Sequence, residues 1–182
     1  MPRPAQQAAA TSKPTVPQTI FFFNEREQHG FLSQWYPCTF TSHGLQFNCA
    51  EQFMMWSKAQ SAGDARTAAE ILSTDSPTKQ KSLGKEVRNF DAKEWDRIKS
   101  AVVEQGNYLK FTQCDRLREL LLETYSKELV EASHFDRVWG IGYGVKDACR
   151  TPREKWGQNL LGRAIMAVRE RIRREEEDGG CT

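Results

Sequence analysis

The sequence predicts a single, mostly helical α+β domain with a small β-sheet. The chain has 182 residues, of which 38% are hydrophobic, and this size and composition suit one globular core. Short aromatic and β-branched runs come first, and helical patterns fill most of the remaining sequence. We expect the compact domain at residues 19–176, between a disordered tail at 1–18, which holds four of the seven prolines, and a flexible end at 177–182.

The strands of the small sheet are expected mainly near the front of this domain. "TIFFFN" at 19–24 has the composition of a buried strand, and "GLQFN" at 44–48 is a second candidate. "FLSQWYPCTF" at 31–40 favours an extended segment that is broken at Pro37. "KELVEAS" at 127–133 predicts a later strand that leads into a glycine-rich loop.

The helices between and after these strands are predicted from their ends and their apolar stripes. Pro77 suits a first helical position, and Asp91 with Glu94 has the spacing of a capping box. The helix after Asp91 is interrupted by Gly106, and its expected core stripe is Trp95, Ile98, Val102 and Leu109. The last helix should turn a second stripe to the core, namely Leu161, Ile165, Val168 and Ile172.

Charge and cysteine content exclude several classes of protein. The net charge of +2 is too small to indicate a dominant nucleic-acid field. The five cysteines are scattered without a C-x-x-C pair, which indicates neither a disulfide framework nor a zinc site. No apolar run approaches the roughly 18 residues of a membrane span. We therefore expect a reduced, intracellular protein of the cytoplasm or nucleus, without a membrane or an obligate protein partner.

The segment "AEQFMMWSKA" at 50–59 carries an acid and an amine on one helical face. Glu51 and Lys58 are two turns apart, about 10.5 Å along the axis, which is too far for a good ion pair but suits a ligand that bridges them. A structural alternative exists for each. Asn48 can act as the N-cap, with Glu51 reaching back to it, and Lys58 can extend its amine to water.

Two further groups of residues could bind a nucleotide. In "EASHFDRVWGIGYG", Asp136 precedes Trp139, whose indole can stack on a base or sugar, while Gly140 and Gly142 permit close backbone approach or a simple turn. Near the front, Asn24 and Arg26 lie close in sequence to the aromatic residues Phe31 and Trp35. The three histidines have no metal-ligand spacing, so we expect no metal and no cofactor.

Four motifs together resemble the NADAR-domain family, which includes the bacterial YbiA-like N-glycosidases. They are "FFFNEREQHGFLSQWYPCTF", "NCAEQFMMWSKA", "EASHFDRVWGIGYG" and "NLLGRAIMAVRERI", and the similarity runs from about residue 20 to 172. Gln34 and Trp35 stand where the family commonly has asparagine and phenylalanine. The resemblance implies a compact, mostly helical α+β domain that hydrolyses N-glycosidic bonds.

The family's substrates join ribose C1 to an exocyclic amine. Some members cleave phosphorylated ribosylamino-pyrimidine intermediates of riboflavin synthesis, and others remove ADP-ribose from guanine in nucleic acid. We expect the second activity here, on an ADP-ribose-bearing guanine nucleotide or nucleic acid, because the chain carries no fused riboflavin-pathway domain. The alternatives are the riboflavin intermediates or an ADP-ribose-binding module without turnover.

The resemblance also assigns roles to residues. Glu51 falls on the active-site glutamate and Lys58 on the lysine that follows it, which suggests acid/base catalysis by the first and imine formation by the second. Asp136, Trp139 and Asn159 fall in the later pocket motifs, and Asp136 is expected to be catalytic. The remaining substrate-binding candidates are Asn24, Arg26, Phe31, Trp35, Trp95, Gly140 and Gly142. For Trp95, a core role is equally open.

Overall fold

The computed structural model describes residues 19–179, and the predicted tail at 1–18 lies outside them, as do residues 180–182. The strands are β1 (Thr19–Phe22), β2 (Phe40–Ser42), β3 (Leu45–Phe47) and β4 (Glu128–Glu131). The helices are α1 (Ala50–Ser61), α2 (Ala65–Leu72), α3 (Pro77–Lys85), α4 (Ala92–Thr112), α5 (Asp115–Leu122), α6 (Val145–Ala148) and α7 (Leu160–Gly179). The α+β prediction, mostly helical with little sheet, is confirmed. α7 extends three residues past the expected domain end at 176.

The strands form two separate pairs. β1 pairs with β4 in parallel, with Ile20 opposite Leu129, so the first and fourth strands lie together although over 100 residues separate them. β2 and β3 form an antiparallel hairpin. His43 and Gly44 connect them with positive φ values of 51° and 75°, the conformation of a tight two-residue turn.

The prediction of an extended segment at 31–40 was largely wrong. A short 3-10 helix covers Gly30–Leu32, and only Phe40 of the segment lies in a strand. The backbone N–H of Leu32 donates to the carbonyl of His29, and that of Ser33 donates to Gly30. These tight turns bury the apolar side chains of Phe31 and Leu32 without a strand.

α1 is the central helix and packs against α2, α3 and α4. The expected interruption at Gly106 is absent, since α4 runs unbroken from Ala92 to Thr112. A Cβ atom at Gly106 would lie 2.7 Å from Cδ1 of Phe53, so the glycine allows close helix packing. The predicted stripe of α4 is confirmed in part, since Trp95 is buried, but the most deeply buried apolar residues of the helix, Val103 and Phe111, lie outside it.

α7 packs against β4 and α4 and closes the core. Its predicted stripe is confirmed, with buried side chains at Leu161, Ile165, Val168 and Ile172. No helix within residues 19–179 is long and apolar enough to cross a membrane.

Candidate active site

A cavity of about 570 Å³ opens between α1, α3 and the loop that follows β4. This volume is in the range of small-molecule sites, which is about 300–1,000 Å³. Residues 23–25, residues 33–35, Trp95 of α4 and Leu161 of α7 complete its walls. The parallel pairing of β1 with β4 brings the front of the chain to this cavity.

Glu51 is the second residue of α1 and lines the cavity. It is only 5% exposed, and burial raises its pKa to about 7, against smaller opposing effects of Lys81 and a hydrogen bond from the Trp35 side chain. The predicted capping role is wrong. Cys49 is the N-cap of α1, and the side chain that reaches back to the Asn48 N–H is Gln52, at 2.8 Å. The Glu51 carboxyl group is therefore available to the cavity.

Lys58 lines the same cavity from the last turn of α1. Its Nζ donates to the carbonyl oxygen of Gly84 at 2.6 Å and lies 4.1 Å from the ring centroid of Phe90. Burial lowers the pKa of this amine. The structure therefore places the acid and the amine on one helix and at one cavity, and a lowered pKa favours the neutral, nucleophilic amine.

Three tryptophans, Trp35, Trp95 and Trp139, line the cavity. Trp95 also belongs to the main hydrophobic core, as the alternative considered for it proposed, and its contact with a substrate stays a prediction. The wall at residues 33–35 is fixed to α4: the Ser33 carbonyl accepts from Lys110 Nζ at 2.8 Å, and Gln34 Oε1 accepts from Asn107 at 2.9 Å. Flat aromatic walls of this kind suit a base or a sugar face.

Asp136 lies on the loop after β4 and lines the cavity. Its Oδ1 accepts two backbone hydrogen bonds, from the N–H groups of Val138 at 2.8 Å and Trp139 at 2.7 Å. These bonds shape the turn that carries the Trp139 ring. Asn24 also reaches the lining, and its side chain accepts the backbone N–H of Arg26 at 2.9 Å.

Five of the candidate substrate-binding residues lie outside the cavity lining. The Arg26 side chain is 87% exposed and lies 3.6 Å from a Glu25 carboxylate oxygen. Phe31 is buried in the core. Gly140 approaches the backbone of Glu131 rather than the cavity, and Gly142 combines a φ of 76° with close contact to the Arg137 side chain. Phe31, Gly140 and Gly142 thus have roles in packing and turns, and the side chain of Arg26 lies mostly in solvent.

Asn159, the fifth, is buried behind the cavity. Its Oδ1 accepts the Glu131 N–H at 3.0 Å, and its Nδ2 donates to the Leu129 carbonyl at 2.9 Å. Asn159 thus fixes the end of β4 from the start of α7, and its φ of 51° belongs to the left-handed region that asparagine tolerates.

Sequence reasoning missed three charged residues of the lining: Lys81, Lys85 and Glu131. Lys81 and Lys85 are one helical turn apart on α3, and this i,i+4 spacing was a usable signal. Glu131 gave no such signal, because it looked like an ordinary strand end. Burial and the nearby Asp136 raise the pKa of its carboxyl group to about 8.

The cavity therefore combines two carboxyl groups with raised pKa values, an amine with a lowered pKa and aromatic walls. Such a set can transfer protons near neutral pH and form a covalent bond to a carbonyl-like carbon. Within residues 19–179, no group of three or more His, Cys, Asp or Glu side chains is arranged to hold a metal ion.

Known proteins share this fold and are similar to this chain over most of its length. The NADAR domain family matches residues 21–173, and the chain belongs to this family. The N-glycosidase R617 of Acanthamoeba polyphaga mimivirus is 42% identical over 160 residues, which cover 83% of this chain and 94% of the viral protein. A riboflavin biosynthesis protein of Vibrio vulnificus is 32% identical over 155 residues, but the match covers only 39% of that protein.

The NMR structure of the Escherichia coli protein YbiA shows the same fold. It superposes with a TM-score of 0.74 at 24% identity, and the match covers 92% of each chain. The expected family and fold are thus confirmed, and the names of the relatives support an N-glycosidase.

Proposed function

We propose that this protein is an N-glycosidase that hydrolyses the bond between ribose C1 and an exocyclic amine, most specifically the bond between ADP-ribose and guanine. The observation that carries the proposal is the placement of Glu51 and Lys58 at one cavity, with the pKa of the carboxyl group raised and that of the amine lowered. The carboxyl group of Glu51 then has accessible charged and neutral forms near neutral pH, and the lowered pKa of Lys58 favours the neutral, nucleophilic amine.

The chemistry of a ribosylamine matches these two groups. C1 carries both the ring oxygen and the amine, so it opens readily to an imine. The neutral Lys58 amine attacks C1 and replaces the leaving amine as a Schiff base, which water then hydrolyses. Glu51 exchanges protons with the reacting atoms and stabilises positive charge that develops at C1. In the alternative route, water attacks C1 directly and Lys58 orients Glu51 or a phosphate.

ADP-ribose on guanine fits the lining of the cavity. Trp35 and Trp139 offer faces for the two bases, and Lys81 and Lys85 offer positive charge for the diphosphate. Arg26 was expected to bind phosphate, but its exposed position outside the lining makes the α3 lysines better candidates. The second candidate substrate is a ribosylamino-pyrimidine phosphate, which the name of the Vibrio relative favours.

A direct comparison of the two substrates tests the proposal. The protein is incubated with a guanine-ADP-ribosylated oligonucleotide and with the ribosylamino-pyrimidine phosphate, and the released products are measured by mass spectrometry. We expect release of ADP-ribose, and we expect Glu51→Gln to abolish it. Glu70→Gln is the matched control, since Glu70 is exposed on α2 and pairs with Arg66. Tight ADP-ribose binding without release from either substrate would instead identify a binding module.

A further inference from the structure

Glu131 is held rigidly at the end of β4, next to the cavity. Its backbone N–H donates to Asn159 Oδ1 at 3.0 Å, and its carbonyl oxygen accepts from the Ile141 N–H at 3.0 Å. A Cβ atom on Gly140 would lie 2.8 Å from that same carbonyl oxygen, so the following loop packs tightly on this residue. These backbone contacts therefore fix the position of the Glu131 Cα atom, from which the side chain extends.

The carboxyl group of Glu131 lines the cavity but has an unpartnered oxygen. Within residues 19–179, its Oε2 atom is buried and makes no hydrogen bond. A buried polar atom of this kind normally finds a partner, and leaving it without one costs about 1–3 kcal/mol. The open cavity in front of Glu131 is the place from which a substrate can supply that partner.

Charged groups face Glu131 from several elements. Glu51 on α1 and Asp136 in the loop raise its pKa in addition to burial, and Lys81 on α3 opposes them. Lys58, Lys85 and Glu25 also line the cavity. α7, which packs on β4, contributes the apolar Leu161 to the lining. The charge of Glu51 thus disfavours the ionised form of Glu131, and neighbouring carboxyl groups of this kind can divide into an acid and a base.

We propose that Glu131 is a second catalytic residue, the general acid that protonates the leaving amine, while ionised Glu51 takes the proton of the nucleophile. This inference rests on the proposed N-glycosidase function. In that reaction the C1–N bond breaks and nitrogen keeps its electron pair. The nitrogen takes the proton of the Glu131 carboxyl group and leaves as a neutral amine.

A new bond at C1 replaces the broken C1–N bond. It forms to the nitrogen of Lys58 or to the oxygen of water, and the proton that this nucleophile loses passes to the Glu51 carboxylate. When Lys58 is the nucleophile, the bond between C1 and the ring oxygen then opens, and the ring oxygen takes the second proton of the lysine nitrogen, which leaves a Schiff base. One water molecule hydrolyses the Schiff base, which frees the lysine amine and lets the ribose ring close again. Proton exchange with solvent then restores the protonated Glu131 and the ionised Glu51. The proton requirement at the leaving nitrogen is common to both routes.

Asp136 is less suited to this task than Glu131. One of its oxygens already accepts two backbone N–H groups, which an ionised carboxylate does best. We assign Asp136 to shaping the Trp139 turn and to supplying negative charge beside Glu131. The catalytic role expected for Asp136 thereby becomes a positioning role.

Replacement of Glu131 by glutamine separates proton donation from hydrogen bonding. The amide copies the shape and the donor capacity of a neutral carboxyl group but cannot release a proton. We expect Glu131→Gln to lower kcat by about 10²–10⁴-fold, with ADP-ribose affinity changed by only a few-fold. The parent kcat should fall as the pH rises through about 8, and this alkaline decline should vanish in the variant. Glu128→Gln is the control, since Glu128 is on the same strand but pairs with Arg153.

The possible outcomes separate the general-acid role of Glu131 from the N-glycosidase function. If the parent releases product and Glu131→Gln keeps its kcat and its alkaline decline, the general-acid role is wrong and the N-glycosidase function stands. If the parent releases no product from either substrate, the N-glycosidase function and the general-acid role are both contradicted. If the glutamine variant does not fold, Glu131→Asp decides: a lower kcat with the decline retained supports the role, and an unchanged kcat contradicts it.

Discussion

The Nζ atom of Lys58 donates a 2.6 Å hydrogen bond to the carbonyl oxygen of Gly84, which ties the amine of α1 to α3 at the cavity wall. Gly84 allows α3 to approach α1 this closely, because a Cβ atom at this position would overlap the Met55 side chain. The lysine is therefore positioned before any substrate arrives.

Borohydride trapping tests Lys58 as a nucleophile. With substrate present during turnover, reduction should attach the sugar to the peptide that contains Lys58, and Lys58→Arg should remove the adduct together with most of the activity. Lys79→Arg is the control, because Lys79 is an exposed residue of α3 outside the cavity. Turnover without an adduct would show that water attacks C1 directly.

The pKa of Glu51 predicts a pH-dependent cost in stability. The folded value of about 7 is above the ordinary value of 4.5, so the folded state retains a proton that the unfolded state loses between these values. The contribution of the protonated Glu51 to stability is therefore complete below about pH 4.5 and is lost as the pH rises to about 7. The Glu51→Gln variant has no ionisable group at this position, so it should not lose this stability as the pH rises.

Chemical denaturation at two pH values measures this effect. The gain in the free energy of unfolding from Glu51→Gln should be larger at about pH 8 than at about pH 4, by about 3 kcal/mol. The control Glu70→Gln should show no such gain at about pH 8, because it only removes a surface ion pair with Arg66. A Glu51→Gln gain that does not depend on pH would contradict the buried, raised-pKa carboxyl group.

Lys81→Met should shift the pH profile of the reaction. Burial raises the pKa of Glu51 and the positive charge of Lys81 lowers it, so removal of that charge should raise the pKa further. The acid side of the kcat profile, where Glu51 gains its proton, should move to higher pH. Lys79→Met on the same helix should leave the profile in place. Equal profiles for the parent and the Lys81 variant would show that the charge of Lys81 does not affect the pKa of Glu51.

Gly106→Ala should destabilise the protein, although alanine normally stabilises a helix by about 1 kcal/mol relative to glycine. The added methyl group would meet the Phe53 ring, and overpacking of this kind costs about 1–3 kcal/mol. Thermal unfolding should show a lower Tm for Gly106→Ala. Ser100→Ala, on the exposed face of the same helix, should show no such loss. A higher Tm for Gly106→Ala would mean that α1 and α4 are more loosely packed than described.

Local signals predicted much of the helical architecture. The Asp91 side chain accepts the N–H groups of Lys93 and Glu94, as the cap pattern indicated, and Pro77 begins α3. The shifted core face of α4 had no local signal, because it depends on where Phe53 meets Gly106 in the folded protein. The same holds for the 3-10 turn at Gly30–Leu32, which buries apolar residues that alone favour a strand.

The cavity was predictable on its α1 side and in part on the others, since the candidates Trp35, Asp136 and Trp139 also line it. Glu51 and Lys58 share a stripe that helical periodicity reveals. Glu131 reaches the cavity only because β4 pairs with β1 and Asn159 fixes its end, and both contacts join residues far apart in the chain. Arg26, in contrast, was a candidate that lies outside the cavity lining. Its closeness in sequence to aromatic residues did not bring its side chain into the cavity.

A crystal structure with ADP-ribose bound would locate the ribose relative to Glu51 and Lys58. We expect the ribose C1 atom to lie in the cavity between the Glu51 carboxyl group and the Lys58 amine, with the diphosphate toward Lys81 and Lys85. The Glu51→Gln variant provides a stable complex if the parent reacts. Binding of the ribose elsewhere on the protein, or with C1 out of reach of both side chains, would contradict the proposed reaction.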